Sequence, residues 1–476
     1  MLVDAPGDLD RAALEAVAAG EGVELGEHLL AGLERSRAAA LAALTSAGPV
    51  YGVTTGMGAM AGIALDEQAR ARHQAHLVVG RAVGSAPWLS RREVRAVLAV
   101  RLRTLLHPEA GVSPQLCERL AALLAAGVHP RVPARGNGAA GEIVPLAHLG
   151  AVVLGGERTG ADTLEGGWLP PFAPGAKEGV ALLEGVPVAT ALALLRAADT
   201  RLLLRQGALV LAASAEVLRA SHDPLHPAAA RGDDVLAAVA ARLRWYRPAG
   251  DVHGLQAPVS LRVGAPALAL AQRRLDALLE AVDRALEGVS DSPALLEGAF
   301  TGTAGFAGTE LAAGLDGLVA ALVHLADTSA ARTHRMLDPR QSGLPPQLSP
   351  QPGVHAGLVA VHKRAVGVVH RLRRFALPAL SGAVETSLGQ EDVQSFALEA
   401  AECAGEAVAG LREVLAVELL AVHRARLLRG GLAGLAPAAT AALEAVAGVL
   451  GEDVLDRPYG RDLDRLGELL AAGWGG

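Results

Sequence analysis

The chain has 476 residues, 51% of them hydrophobic but only 3% aromatic, and a formal net charge of −7. That length can bury a large core and hold several domains or one large helical body. The acidic balance gives no broad basic footprint for nucleic acid. A hydrophobic fraction dominated by Ala and Leu suits closely packed helices better than sheets, which favour β-branched and aromatic residues.

In chain order, the N-terminus "MLVDAPGDLDRAALE" is acidic and has no signal-like apolar region, so a cytoplasmic location is expected. A Gly-flanked stretch, "YGVTTGMG" at 51–58, carries Tyr51. His73 and His76 could share one helix side, but two ligands need a third partner, so no metal is expected there. "RGNGAAGEIVPLAH" at 135–148 is a small-residue loop running into an apolar helix start. "LLLRQGALVLAASAEVL" is interrupted by Arg205 and Glu216, so no membrane span is expected. Leu268, Leu275, Leu279, Val282, Leu286 and Val289 form one apolar helical stripe. Leu358, Val361, Ala365, Val368, Leu372 and Phe375 form another, and Phe396, Ala400, Cys403, Ala407, Leu411 and Val414 a third. Pro, Gly and Ser punctuate the chain at "SDSP" (290), "RQSGLPPQLSPQPG" (340) and "FALPALSG" (375). "GTAGFAG" at 302–308 follows no strand pattern, which argues against a phosphate-binding loop. Cys117 and Cys403 are isolated and make neither a metal pattern nor a disulfide framework. The expected fold is all-α: an elongated bundle of long antiparallel helices with a loop-rich N-terminal region. The expected division is residues 1–200, holding the Tyr51 loop, and residues 201–476, holding the long helices.

Several stretches share a common pattern. "YGVTTGMG" and "GNGAAGEIVPLAH" are followed by "KEGVALLEG" (177–185), "QAPVSLR" (256–262), "SDSP", "SGLP" (342–345) and "TSLGQED" (386–392). In order and spacing this series resembles the histidine and aromatic amino-acid ammonia-lyase superfamily across nearly the whole chain. The resemblance implies a homotetramer whose active sites draw residues from three chains. It also implies a prosthetic group formed when an Ala-Ser-Gly tripeptide cyclises and loses water, the Ser hydroxyl included, to leave a methylidene-imidazolone. Here the tripeptide is Ala139-Ala140-Gly141. A methyl group cannot leave as water, so no such group, and no other cofactor, is expected.

Other positions depart from the family pattern too. Val259 stands where the family has a second catalytic Tyr, Ala257 where it has Asp, and Glu184 where it has Asn. Gly305, Ala307, Ala330 and Val393 replace Asn, His, Glu and His. Such a set argues against a single engineered Ser-to-Ala change in an ordinary amino-acid lyase, which stays as one alternative. What the resemblance retains is Tyr51 at the catalytic Tyr position, Arg262 at the carboxylate-binding Arg and Glu391 in the "QED" segment. Gly80-Arg81 occupies the pair that sets side-chain selectivity, and Gln256 opens the Arg262 segment. Tyr51 as a general acid or base needs a lowered pKa or an adjacent proton acceptor; its rival role is packing or a structural hydrogen bond. Glu184 and Glu391 are candidate partners, with helix-end capping the rival role for Glu391 and Asp392. Arg262 and Arg81 are candidate anion holders. Their rivals are a structural ion pair at Arg262 and, for Arg81, pairing with Glu184 or Glu142.

Two function classes follow. The first is an enzyme of the ammonia-lyase fold that works without the prosthetic group. It would catalyse a non-deaminating elimination, conjugate addition or cyclisation on a small acidic or polar substrate, in specialised metabolism. The second is a catalytically silent binding or scaffold protein. Neither is expected to bind nucleic acid or a membrane.

Overall fold

A computed structural model describes residues 1–46, 48–155, 162–167, 169–382 and 384–475. The all-α expectation holds. Among the described residues, strands appear only as three two-stranded pairs of two or three residues each, Leu2–Val3 with Glu24–Leu25, His129–Pro130 with Thr163–Glu165, and Ala294–Leu296 with Ala299–Thr301.

The chain divides into two compact units, neither of them contiguous. The first takes residues 1–195, 278–315 and 378–402; the second takes 196–277, 316–377 and 403–476. The first thus draws two segments from the region that the sequence assigns to the long helices. Long helices such as Pro187–Val217 and Ala397–Arg429 supply residues to both.

In the first unit, local signals explain where helices begin. Ser90 and Glu93 form a reciprocal cap at the start of Arg91–Leu105. The Asp66 carboxylate accepts the Ala69 N–H at 2.7 Å to start Glu67–Val79. Arg91–Leu105 is buried over most of its length, which carries the fully buried Arg101 into the interior. The described residues between Ser46 and Glu67 contain no α-helix, only the turn Gly58–Met60 and an isolated bridge from Thr55 to Ala64. That is the expected loop-rich segment.

In the second unit, Val359–Leu372 buries Val361, Ala365, Val369 and Leu372. The stripe predicted from Leu358 is therefore right to within one residue at Val369, and the α-helix stops before Phe375. Gly264–Leu286, which passes from the second unit into the first at residue 278, buries Leu278 rather than Leu279, a similar one-residue drift, and it ends before Val289. Phe396 lies outside its helix, with φ at +52°. Ala397–Arg429 differs in kind: from Val414 to Ala425 it is buried on every side, so its apolar pattern is wider than one stripe. Its interior polar group, Glu418, accepts hydrogen bonds from Ser214, Ser329 and both Nε and Nη2 of Arg332 at 2.6–2.8 Å. A buried carboxylate is tolerable only when paired in this way.

Two helical stretches, Glu178–Val217 and Gly305–Leu337, are long and apolar enough to cross a membrane by length and composition. The apolar window of the first is 94% buried against other parts of the chain, that of the second 44%. Within the first, Glu216 is neutralised by Arg247 at 2.7 Å.

Candidate active site

The site in the first unit begins with a buried amide. Gln74, 2% exposed on the Glu67–Val79 helix, donates from Nε2 to the Gly52 carbonyl at 2.9 Å. Its Oε1 accepts the Gly179 and Val180 N–H groups at 2.9 and 3.2 Å, capping the Glu178–Leu183 helix. One side chain thereby ties the Tyr51 loop to the helix that ends at Glu184. Gly179 makes this possible, because an added methyl there would collide with the Gln74 backbone carbonyl.

Tyr51, Met57, Arg81, Ala139, Ile143 and Glu391 line one cavity of about 440 Å³. The Tyr51 hydroxyl accepts the Gly58 N–H at 2.8 Å. Burial raises the phenol's pKa above its ordinary value, and the nearby carboxylates of Glu184 and Glu391 add to that, while the Gly58 N–H and Arg81 oppose it. The lowered pKa that a resting base requires is absent. Tyr51 is a protonated phenol, suited to donating.

The degenerate tripeptide is held from several directions. The Asn137 side chain donates to the Gly141 carbonyl at 2.7 Å. Glu391 accepts the Ala140 N–H through Oε2 at 2.7 Å and the Ser387 hydroxyl through Oε1 at 2.8 Å. Glu391 therefore secures the loop and does not cap a helix; Asp392 is exposed. Asn137 and Ser387 lie within the "GNGAAGEIVPLAH" and "TSLGQED" stretches, but the sequence did not single them out. Ala140 presents a methyl where ring formation needs a hydroxyl leaving group, so the residues present do not fit the methylidene-imidazolone.

Glu184 lies beneath the loop, 6% exposed and outside the lining of that cavity, and a methyl added to Gly141 would sit 3.4 Å from its Oε2. Burial raises its pKa from 4.5 to about 8, with the charges of Asp291 and Glu391 adding and Arg101 and Arg81 opposing. Near neutral pH it is mainly a carboxylic acid. Arg81 donates to the Leu77 carbonyl at 3.1 Å and, among the described residues, forms no ion pair. The pairing with Glu184 or Glu142 considered from sequence does not form. Instead Glu142 accepts the Val188 and Ala189 N–H groups at 2.5 and 2.6 Å, capping the Pro187–Val217 helix. Gly80 closes the Glu67–Val79 helix, its N–H on the His76 carbonyl at 3.0 Å, and does not line the cavity.

Arg262 and Gln256 belong to the second unit. The Arg262 guanidinium donates to Gln256 Oε1 at 2.8 Å and, among the described residues, forms no ion pair. Both line a cavity of about 640 Å³ with Ser221, Asp223, Leu255 and Val259. Leu255 is 93% exposed and Val259 63%. Among the described residues, no group of three or more His, Cys, Asp or Glu is placed to hold a metal ion.

The model of the aromatic amino acid lyase family matches residues 9–448. Histidine ammonia-lyase of Streptomyces coelicolor is 34% identical, over 95% of this chain and 94% of its own length. The tyrosine aminomutase structure from Streptomyces globisporus superposes with a TM-score of 0.91 at 27% identity, covering 98% of this chain and 95% of that one. Ergothionase from Treponema denticola, solved with desmethyl-ergothioneine sulfonic acid, shares the fold at a TM-score of 0.90 and 22% identity, covering 99% of each chain. With its motifs in family order and the match running over nearly its whole length, the chain belongs to the aromatic amino acid lyase family.

Proposed function

We propose that this chain is an ammonia-lyase-fold enzyme that builds no methylidene-imidazolone and catalyses a non-deaminating proton transfer on a small acidic or polar substrate. Elimination, conjugate addition and cyclisation all fall within this chemistry. The observation that carries the reading is Glu184, a buried carboxylic acid with a pKa of about 8 where the family has an amide. A group titrating near working pH can both give and take a proton. Tyr51 donates a hydrogen bond or proton to oxygen on the substrate, and Arg81, without a carboxylate partner among the described residues, holds an anionic group. Glu391 keeps the Ala139–Gly141 loop in place. The apolar side chains of Met57 and Ile143 limit water around the reacting atoms.

The proposal includes a homotetramer in the cytoplasm, acting in specialised metabolism. The exposed Leu255 and Val259 and the half-covered Gly305–Leu337 helix support association, since apolar surface of this kind is stabilised by a second copy. Arg262 and Gln256 then serve a substrate carboxylate in the assembled site. A second reading, a silent binding scaffold, is favoured by Val259, an exposed aliphatic side chain where the family has a catalytic Tyr.

The test is turnover on a substrate found by thermal-shift screening of small acids. Tyr51→Phe is expected to slow it by about 10²–10⁴, the usual worth of acid–base assistance. Full activity in that variant contradicts the role of Tyr51, and a cavity that binds no acid supports the scaffold. Histidine, phenylalanine and tyrosine are expected to release no ammonia.

A further inference from the structure

Behind Glu184 lies a set of charges that the cavity does not reach. Arg101 is fully buried, and its Nη2 donates to the main-chain carbonyl of Glu184 at 2.5 Å. Among the described residues, its Nε and Nη1 have no hydrogen-bond partner. Lys177 and Asp291, also buried, are paired with each other. Glu142 has both oxygens on the amides of Val188 and Ala189. The neighbouring acids are thus already engaged, while two donors of a buried cation stay unpaired beside residue 184. Unpaired buried donors of a charged group are costly, and a carboxylate arriving there would satisfy them.

We propose that Arg101 is a positioning residue, the internal counter-ion of Glu184, whose free Nε–H and Nη1–H receive the Glu184 carboxylate once it has lost its proton. The proposal rests on the proposed role of Glu184 as the acid beneath the tripeptide loop. The protonated side chain faces the tripeptide loop. When the O–H bond breaks, the proton passes to substrate or solvent, and the carboxylate turns onto Arg101. Reprotonation reverses the turn. The other charged and titratable groups that influence Glu184 are Asp291 and Glu391, which disfavour its ionisation, and Arg81 and Tyr51, which line the cavity. Burial lowers the Arg101 pKa only to about 10, so the guanidinium stays charged while Glu184 titrates.

The experiment uses the full-length protein without substrate. Difference infrared spectra against Glu184→Gln isolate the Glu184 carboxyl band, which is expected to bleach around pH 8. Arg101→Met is expected to raise that midpoint by about 1–3 units, the usual effect of removing a close opposite charge. Arg101→Lys, which keeps the charge, is expected to bring it back towards the wild type. An unchanged midpoint in a folded Arg101→Met protein overturns the proposal. Should that variant not fold, the wild-type protein carries the test through the Nε–H resonance of Arg101. That resonance is expected to move with the carboxyl midpoint, and to stay still in Glu184→Gln. A carboxyl that titrates while the Arg101 signal stays fixed overturns the proposal. Because no substrate is present, a Glu184–Arg101 switch in a protein without turnover defeats the proposed activity alone. An active enzyme with an inert Arg101 defeats the switch alone.

Discussion

Glu184 bears most of the chemical argument, and its burial has a thermodynamic consequence. Its pKa rises from 4.5 to about 8 on folding, and that of Glu142 does the same. The folded chain therefore binds more protons than the unfolded chain between those values. By linkage, the stability these groups contribute is full below pH 4.5 and is lost as pH rises through 8. The melting temperature is expected to fall over this window. Glu184→Gln, unable to ionise, is expected to flatten the fall and leave part of it to Glu142. A variant with the wild-type slope would contradict the buried-acid account. The same substitution should remove most activity around neutral pH, by about 10²–10⁴. Tyr51, Glu184 and Glu391 were legible in sequence because each falls on a recognisable motif. Arg101 was not, because its partner lies 83 positions away in the chain, and Asn137 and Ser387 were not, because only folding shows which polar groups of a loop face each other. The raised pKa of Tyr51 was hidden too, since burial and the Gly58 N–H emerge only from folding.

At the scale of elements, the site depends on two helix starts capped from elsewhere. Gln74 caps Glu178–Leu183, and Glu142 caps Pro187–Val217. Glu142→Ala leaves two buried amides unpaired, at about 1–3 kcal/mol each, and denaturant unfolding is expected to record that loss. Gly179→Ala is expected to destabilise by a similar amount or more, because the added methyl meets backbone rather than a flexible side chain. Full stability in either variant would show that these contacts do not hold the site together. Apolar spacing exposed Gly264–Leu286 and Val359–Leu372 to within a residue, since a helix with one covered face must repeat at the helical period. It failed at Ala397–Arg429, where burial on every side erases that period. Nor can periodicity reveal caps such as Gln74 or Glu142, which join residues more than forty positions apart.

At the scale of the whole molecule, the family and its helical character were readable because motif order survives where individual catalytic residues do not. The division into units was not readable: helices that supply both units make each one discontinuous. Association is expected from the exposed apolar residues of the 252–259 segment, Val252, Leu255 and Val259. Light scattering at micromolar concentration is expected to give a tetramer, and a stable monomer would contradict the shared site. The central claim is that this lyase fold works without the prosthetic group, and mass spectrometry of the purified full-length protein tests it most directly. The account predicts a peptide covering Ala139, Ala140 and Gly141 with its encoded mass. Loss of water localised to those three residues would contradict it.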